Sequence, residues 1–205
     1  MSRSANRPDM NRSAHAPRQR ILNAARELFY KSGIRAVGVD AIAEAASTNK
    51  MTLYRHFGSK DDLVAAYLEE LAREGDERWV ALEAAHPGNA AAQLAGWLAH
   101  VEDIVLNSGD RGCAIANAAV ELREMNHPAR RIIEGYKQRK RIRLVEMLRA
   151  AGYGDPELLA DEVFLLFEGA RISNQCCTDH GGPASRLMDM LRSLLARHPR
   201  RTRAK

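Results

Sequence analysis

The sequence contains few cysteines and no pattern that would give them a shared role. Its three cysteines, Cys113, Cys176 and Cys177, are an odd number without a C-x-x-C pair. This usage is typical of a reducing cytoplasm and excludes a zinc site built on thiolates. The seven histidines are scattered without an H-E-x-x-H string, and His100 with Glu102 alone does not make a metal site. We therefore predict no metal and no other cofactor.

Long apolar runs are also missing. No stretch approaches the roughly 18 consecutive apolar residues of a membrane span. No apolar run of roughly 7–15 residues follows the basic N-terminus, as a secretory signal would require. We expect a cytoplasmic protein without a membrane partner. Phosphate-loop, dinucleotide and nucleophile-elbow strings are absent too, so no motif suggests an enzyme, and an all-helical enzyme without such motifs is a minor alternative.

Runs of alternating, β-branched residues are absent, whereas apolar residues recur at helical spacing along most of the chain. The predicted fold is all-α, with an N-terminal three-helix unit followed by a larger helical bundle. The turn-forming strings "HPGN", "NSGD", "NHP", "GYGDP" and "DHGGP" separate the later helices. We predict helices at about 17–32, 39–46, 50–57, from 60 to the "HPGN" break, 90–106, 112–125, 128–151, 156–178 and 184–197.

The same features predict four segments. Residues 1–16 read as a flexible basic leader, 17–62 as the small helical domain, 63–197 as the bundle and 198–205 as a basic tail. Arg3, Arg7 and Arg12 in the leader either follow DNA phosphates or belong to a tail without a role. Ends of helices carry recognisable signals, namely Gly33 after the first, Asn49 before the third and a Ser59–Asp62 capping box before the fourth.

Positive charge is concentrated in the small domain. The formal net charge of the chain is +5. Residues 18–60 contain eight Lys or Arg against three acidic residues, a local excess of five, while residues 61–196 have an acidic balance. Such a contrast indicates a nucleic-acid partner more strongly than the overall charge does.

The stretch "ASTNKMTLYRHFGSK", residues 46–60, gathers donors without one acidic residue. Leu53 and Phe57 lie four apart and can anchor one helical face to a core. The other side chains then project outwards, towards phosphates or base edges. Two short helices, a three-residue turn and a donor-rich second helix match a helix-turn-helix. A solvated amphipathic helix pair is the alternative interpretation.

The segment "ILNAARELFYKSGIRAVGVDAIAEAASTNKMTLYRHFGSKDDLVAAYLEE" resembles the DNA-binding domain of the TetR family of bacterial transcriptional regulators. The strings "AARELFYKSG", "VDAIAEAA" and above all "TLYRHFGSKDDL" carry the resemblance. It implies that helix 50–57 reads double-stranded DNA. The residues that it implies in contact with bases or phosphates are Lys50, Thr52, Tyr54, Arg55, His56 and Lys60. Among these, Arg55 is suited to a guanine and Lys60 to a phosphate.

Two positions depart from the family pattern. The family often has Ser or Thr where Gly38 stands, which puts a helix cap and a phosphate contact in doubt. It also favours Gly-Val in the turn, where this chain has Ser47-Thr48. Ser can occupy such a turn at a modest conformational cost.

The resemblance also implies that the bundle forms a homodimer and commonly binds a small-molecule effector. Aromatic and polar residues that could line an effector site, or equally be ordinary core and surface, are Trp97, Cys113, Asn117, Glu121, Tyr136, Phe164 and Phe167. Cys113 near a helix start is either an oxidant sensor or a small buried residue. Apolar stripes that predict a dimer interface contain Leu159, Val163, Leu166, Phe167, Ala170, Leu187, Met188, Leu191, Leu194 and Leu195.

The sequence therefore predicts a ligand-responsive homodimeric transcriptional regulator, a repressor by family tendency, that binds a palindromic operator. The alternative is a constitutive DNA-binding or architectural protein whose bundle has no effector pocket. An enclosed bundle cavity of roughly 300–1,000 Å³ would favour the first interpretation.

Overall fold

The computed structural model describes residues 16–107, 111–176 and 182–198. The predicted leader arginines, Cys177 and the basic tail beyond residue 198 lie outside these ranges. Every regular element that is described is helical. The elements are α1 Pro17–Ser32, α2 Val39–Ala45, α3 Lys50–Phe57, α4 Lys60–Ala85, α5 Ala90–Asn107, α6 Ala114–Glu121, α7 Pro128–Ala150, α8 Pro156–Cys176, a 3₁₀ helix Pro183–Arg186 and α9 Leu187–Arg197.

Two helices differ from their predicted bounds by three residues or more. α6 is shorter, because Leu122 already has extended backbone angles. The predicted helix 184–197 begins instead as the 3₁₀ turn, in which the Ser185 hydroxyl donates to the Gly182 carbonyl at 2.7 Å. Turn chemistry at both places competes with α-helix formation.

The predicted helix ends are confirmed at three positions. The Gly33 amide donates to the Phe29 carbonyl at 2.9 Å, and Gly33 has φ 86°. The Asn49 side chain accepts from the Thr52 amide at 2.8 Å. At the start of α4, the Asp62 amide donates to the Ser59 hydroxyl at 3.0 Å. Each bond satisfies a backbone group that a helix end leaves unpaired.

The chain divides into two compact units between Tyr67 and Leu68, whereas the predicted domain boundary follows Asp62. The first unit contains α1 to α3 and the start of α4. Its core is apolar side chains from all four helices, with the Phe29 and Tyr67 rings 5.5 Å apart. This small core fixes the turn between α2 and α3.

The second unit contains the rest of α4 and all later helices. Its continuous core takes buried side chains from α4, α5, α7, α8, the 3₁₀ helix and α9. Close packing of long helices around one core accounts for a bundle without sheet support.

No helix in the described ranges is long and apolar enough to cross a membrane.

Candidate functional site

The chain turns sharply between α2 and α3. The Thr48 amide donates to the Ala43 carbonyl and the Ser47 amide to the Glu44 carbonyl, both at 2.9 Å, which is a Schellman motif. Ser47 has φ 50°, in the left-handed region that favours glycine. The chain therefore makes the tight turn that the family pattern assigns to glycine, with serine under modest strain.

α3 lies on the core by one face and presents the opposite face outwards. Leu53 is 0% exposed and Phe57 is also buried, so these two residues anchor the helix as predicted. Successive helical residues rotate by about 100°, which directs Met51 and Arg55 away from the anchors. Met51 is 84% exposed. Among the described residues, no hydrogen bond or ion pair engages the Arg55 guanidinium. Met51 and Arg55 are thus the centre of the outward face.

The other predicted contact residues on α3 flank this centre. Tyr54 is exposed on one side, and Thr52 is half-buried on the other. Lys50 pairs with Asp40 of α2 at 3.4 Å, an exposed ion pair that contributes little stability. His56 is half-buried, and its Nε2 is enclosed without a hydrogen-bond partner in the structure. The side chains at the centre of this face are therefore exposed, whereas those at its edges are partly buried or paired.

Lys60, the first residue of α4, makes a contact that the sequence does not predict. Its Nζ donates to the Ile34 carbonyl at 2.7 Å, which ties α4 to the loop between α1 and α2. Its predicted role as a phosphate contact remains a prediction, and the structure adds a bond within the first unit.

Two arginines of α1 also support the motif from within the unit. The Arg18 guanidinium lies over the Phe57 ring, 4.9 Å from its centroid. The Arg20 Nε donates to the Ala46 carbonyl at the end of α2, at 3.3 Å. Part of the local positive excess therefore holds α2 and α3 in place.

Met51 is the outward-facing residue of α3 that the sequence reasoning missed. A methionine between polar neighbours does not by itself indicate DNA contact. Only its angular position on the helix relative to Leu53 and Phe57 could have predicted that it faces outwards. An exposed apolar side chain beside donors is suited to a thymine methyl group.

Gly38, the N-cap of α2, makes no side-chain capping bond, and a Cβ there would meet open space. The cap that the resemblance puts in doubt is thus absent at this residue.

The second unit contains an aromatic cluster between α4, α5, α7 and α8. The Trp97 ring stacks on Trp79 at 6.1 Å, and its other neighbour is Phe167, edge-on at 6.2 Å. Tyr136 is buried, and burial raises the pKa of its hydroxyl to about 12. These rings are part of the apolar interior of the unit.

Two cations lie beside these rings. The Lys140 ammonium lies 5.1 Å from the Phe167 centroid and 5.6 Å from that of Tyr136. The Arg171 guanidinium lies 5.6 Å from the same Phe167 centroid and donates to the Gly112 carbonyl at 2.8 Å. Lys140 keeps part of its accessible surface, yet burial lowers its pKa to about 8. The ammonium is therefore largely removed from solvent.

A third cation beside them is neutralised. Lys137 forms an ion pair with Glu168 at 2.5 Å, and both side chains are about four-fifths buried. Its ammonium also lies 5.5 Å from the Phe164 centroid and 4.0 Å from the Cys113 sulfur. His100 of α5 is near the same charges, and burial, followed by Arg78 and Lys140, lowers its pKa. It is therefore neutral at pH 7.

The structure connects most predicted effector residues through these contacts. Trp97 and Phe167 touch directly. Lys140 lies near the rings of both Tyr136 and Phe167, and Lys137 lies near both Cys113 and the Phe164 ring. Two further predicted residues lie on α6. The Asn117 amide nitrogen donates to the Arg111 carbonyl at 2.7 Å, and Glu121, the last residue of the helix, is half-buried.

Lys140 and Arg171 are the members of this cluster that the sequence reasoning missed. The string "KQRKRIR" reads as a solvated basic face, and only the position of Lys140, four residues after Tyr136 and four before Leu144, hints at the inner face.

The residues predicted at the dimer interface lie mainly in the subunit's own core, so their part in a dimer remains a prediction. Leu191 is 0% exposed, and Leu159, Val163, Phe167, Ala170, Leu187 and Leu194 are buried as well, while Leu166, Met188 and Leu195 are half-buried against the same core. The large apolar residues of the two helices that are exposed are Leu158, Leu165, Ile172 and Met190. The stripes serve the core first because an isolated bundle must bury its widest apolar faces.

A short helix, a tight turn and an anchored second helix with a donor-bearing outward face define a helix-turn-helix DNA-binding domain. The family model described as bacterial regulatory proteins, tetR family, matches residues 21–67. A TetR-family transcriptional regulator from Streptomyces coelicolor is 30% identical in sequence. Its structure matches with a TM-score of 0.79, covering 88% of this chain and 94% of that one. The chain belongs to the TetR family of bacterial transcriptional regulators, which are not enzymes.

Curated relatives match over a shorter part of the chain. The regulator UidR of Escherichia coli strain K12 is 40% identical over 60 residues, which are 29% of this chain and 31% of UidR. The transcriptional activator FasR of Mycolicibacterium smegmatis is 44% identical over 52 residues, 25% of this chain and 24% of FasR. The chain thus matches less than a third of the length of these two relatives.

Proposed function

We propose that this TetR-family regulator is a homodimeric repressor that binds an inverted-repeat operator through α3 and is released by a small-molecule effector held in its second unit. The observation that carries the proposal is the outward face of α3. Met51 and Arg55 on this face are directed away from the buried residues Leu53 and Phe57.

Each side chain of α3 has a role in this proposal that follows from its position. Arg55 donates two hydrogen bonds to a guanine edge, and Met51 packs on a thymine methyl group. Tyr54 and Thr52 flank them and contact phosphates or neighbouring bases. Lys50 and His56, at the partly engaged margins, contribute phosphate contacts that set register rather than sequence preference.

An apolar line on α8 supports the homodimer. Leu158, Leu165 and Ile172 are spaced seven apart and all exposed, so they follow one face of the helix. Gly169 lies on the same face, and a Cβ there would meet open space, which leaves room for a second helix to approach. With Met190 of α9, these residues are the surface that we assign to a second copy of the chain.

The interior cluster favours an effector-responsive protein over a constitutive one. A largely buried cation without a carboxylate partner costs stability, and a purely architectural bundle gains nothing from it. Repression rather than activation is itself part of the proposal, because the relative FasR is named as a transcriptional activator.

The test is selection of binding sites from random-sequence duplex DNA with the purified full-length chain. We expect an inverted repeat whose half-sites lie about one helical turn, 34–36 Å, apart. Arg55→Ala should lose preference at one position of each half-site, whereas Arg123→Ala, which removes an exposed charge from the second unit, should select the same repeat. Enrichment of no sequence, or of a single half-site, would contradict the proposal.

Repression is tested with the selected site placed over a reporter promoter in cells. Expression should fall when the wild-type chain is present and recover with Arg55→Ala. A rise in expression on adding the wild-type chain would identify an activator instead.

A further inference from the structure

We propose that the effector is a small organic carboxylate with an apolar body, whose carboxylate is bound by Lys140 and Arg171 above the Phe167 ring. This inference rests on the proposal that the second unit binds an effector, and it names the chemical class of that effector.

The positions of the two cations carry the argument. Both lie within 5.6 Å of one ring centroid, Lys140 at 5.1 Å and Arg171 at 5.6 Å. Arg171 is fixed by its bond to the Gly112 carbonyl, which uses one of its five N–H donors. One fixed guanidinium and one ammonium beside the same ring are suited to the two oxygens of a carboxylate.

The charge around them is unbalanced. Lys137, Lys140 and Arg171 are three cations with two carboxylates nearby, Glu168 and, beside His100, Asp103. Glu168 is paired with Lys137, and within the described ranges no carboxylate lies within ion-pair distance of Lys140. His100 adds no charge at pH 7, because its pKa is lowered. The cluster therefore has a positive excess that an anion would neutralise.

The surroundings select an anion with an apolar body. Trp97, Tyr136 and Phe167 are buried rings beside the cations, and Trp97 touches Phe167 edge-on at 6.2 Å. Burial lowers the pKa of the Lys140 ammonium to about 8, so an anion that reaches it is surrounded by apolar side chains. A doubly charged phosphate would lose more hydration there than two cations return, whereas a monocarboxylate with an apolar tail fills both parts of the site.

The experiment measures binding of benzoate and octanoate to the full-length chain by calorimetry and by tryptophan fluorescence. The chain has two tryptophans, which stack on each other, and Trp97 touches the proposed site. Benzamide and octanamide are the neutral matches, and inorganic phosphate is the anion without an apolar body. We expect at least one carboxylate to bind about tenfold or more tightly than its amide and than phosphate.

Lys140→Met should weaken carboxylate binding about tenfold or more, and Lys140→Arg should restore most of it. Arg131→Met, which removes an exposed charge from the same helix, is the matched control and should bind as the wild type does. Without ligand, Lys140→Met should melt a few degrees higher, because an uncompensated buried charge is removed. A lower melting temperature would instead indicate a structural ammonium.

Equal binding of acid and amide, no carboxylate binding at millimolar concentration, or unchanged binding by Lys140→Met would overturn the inference. None of these outcomes touches the proposed regulator, since operator selection and its dependence on Arg55 are measured without any effector.

Discussion

Arg55 in the first unit and Lys140 in the second are both cations without a carboxylate partner among the described residues, but their surroundings are opposite. Arg55 projects from α3 into solvent, whereas Lys140 lies against the rings of Phe167 and Tyr136. An exposed cation costs almost nothing until it meets a phosphate or base. A buried cation is costly at all times unless an anion joins it. The two proposals use this difference, with DNA as the large polyanion of the first unit and a small carboxylate as the anion of the second.

The largest expected effect separates the core of the second unit from its surface. Leu191→Arg places a charge at a fully buried position and should destabilise the second unit by more than about 4 kcal/mol. Leu165→Arg changes a residue that is 72% exposed and should keep the fold while giving a monomer. Urea denaturation and light scattering measure the two outcomes. A folded, monomeric Leu191→Arg chain would show that this leucine belongs to an interface.

The next effect is a pH dependence specific to the second unit. The Lys140 pKa is about 8 in the folded chain and about 10.4 when unfolded, so the unfolded state binds more protons between these values. The free energy of unfolding should therefore rise with pH from 8 to 10.5, by on the order of 2 kcal/mol.

Lys140→Met should lack this rise. Glu168, Lys137, Cys113 and Arg171 interact electrostatically with Lys140, and they remain in the variant, so the difference between the two chains isolates Lys140. Urea denaturation at pH 7 and pH 10 provides the measurement. Identical pH profiles would place the ammonium in ordinary solvent.

In the first unit, Arg55 and Lys60 should differ in kind. Arg55→Ala should cost roughly 1–3 kcal/mol on the selected operator and relax base preference at one position. Lys60→Ala should weaken binding to all sequences and reduce the salt dependence by about one phosphate. Fluorescence anisotropy over a salt series distinguishes them.

Because Lys60 also donates to the Ile34 carbonyl, Lys60→Ala should lower the stability of the first unit by about 1 kcal/mol. Equal losses of specific and random DNA binding by both variants would contradict the division of roles.

The smallest effects concern the turn and cap of the helix-turn-helix. Ser47→Gly should stabilise the first unit by about 0.5–1 kcal/mol, since φ 50° strains serine but not glycine. Gly38→Ser should add a few tenths of a kcal/mol, because open space surrounds the missing Cβ and a hydroxyl there can cap α2. Thermal unfolding measures both, and a destabilised Ser47→Gly would mean that the Ser47 side chain has a partner.

Local chemistry made the first unit predictable. The Asn49 cap, the Ser59–Asp62 box and the Gly33 stop each act within four residues, so they can be identified from the sequence and are confirmed by the structure. The bound of α6 was wrong, because the helix already ends at Glu121 and Leu122 is extended, whereas the local sequence of residues 112–125 has no helix-stop signal there. Met51 was missed because its exposure depends on the phase of α3 against the core.

The sequence by itself determined the all-helical fold, the caps, the anchored α3 and the family, because these depend on short-range periodicity and on contiguous strings. Only the tertiary structure decided which apolar stripes of α8 and α9 are core and which residues stay exposed, since a stripe does not name its partner. It also decided that Lys140, one of several cations in "KQRKRIR", faces the rings. The residues around Lys140 come from α5, α7 and α8, which are far apart in sequence. These surroundings determine how much free energy the buried charge costs and which anion would offset that cost.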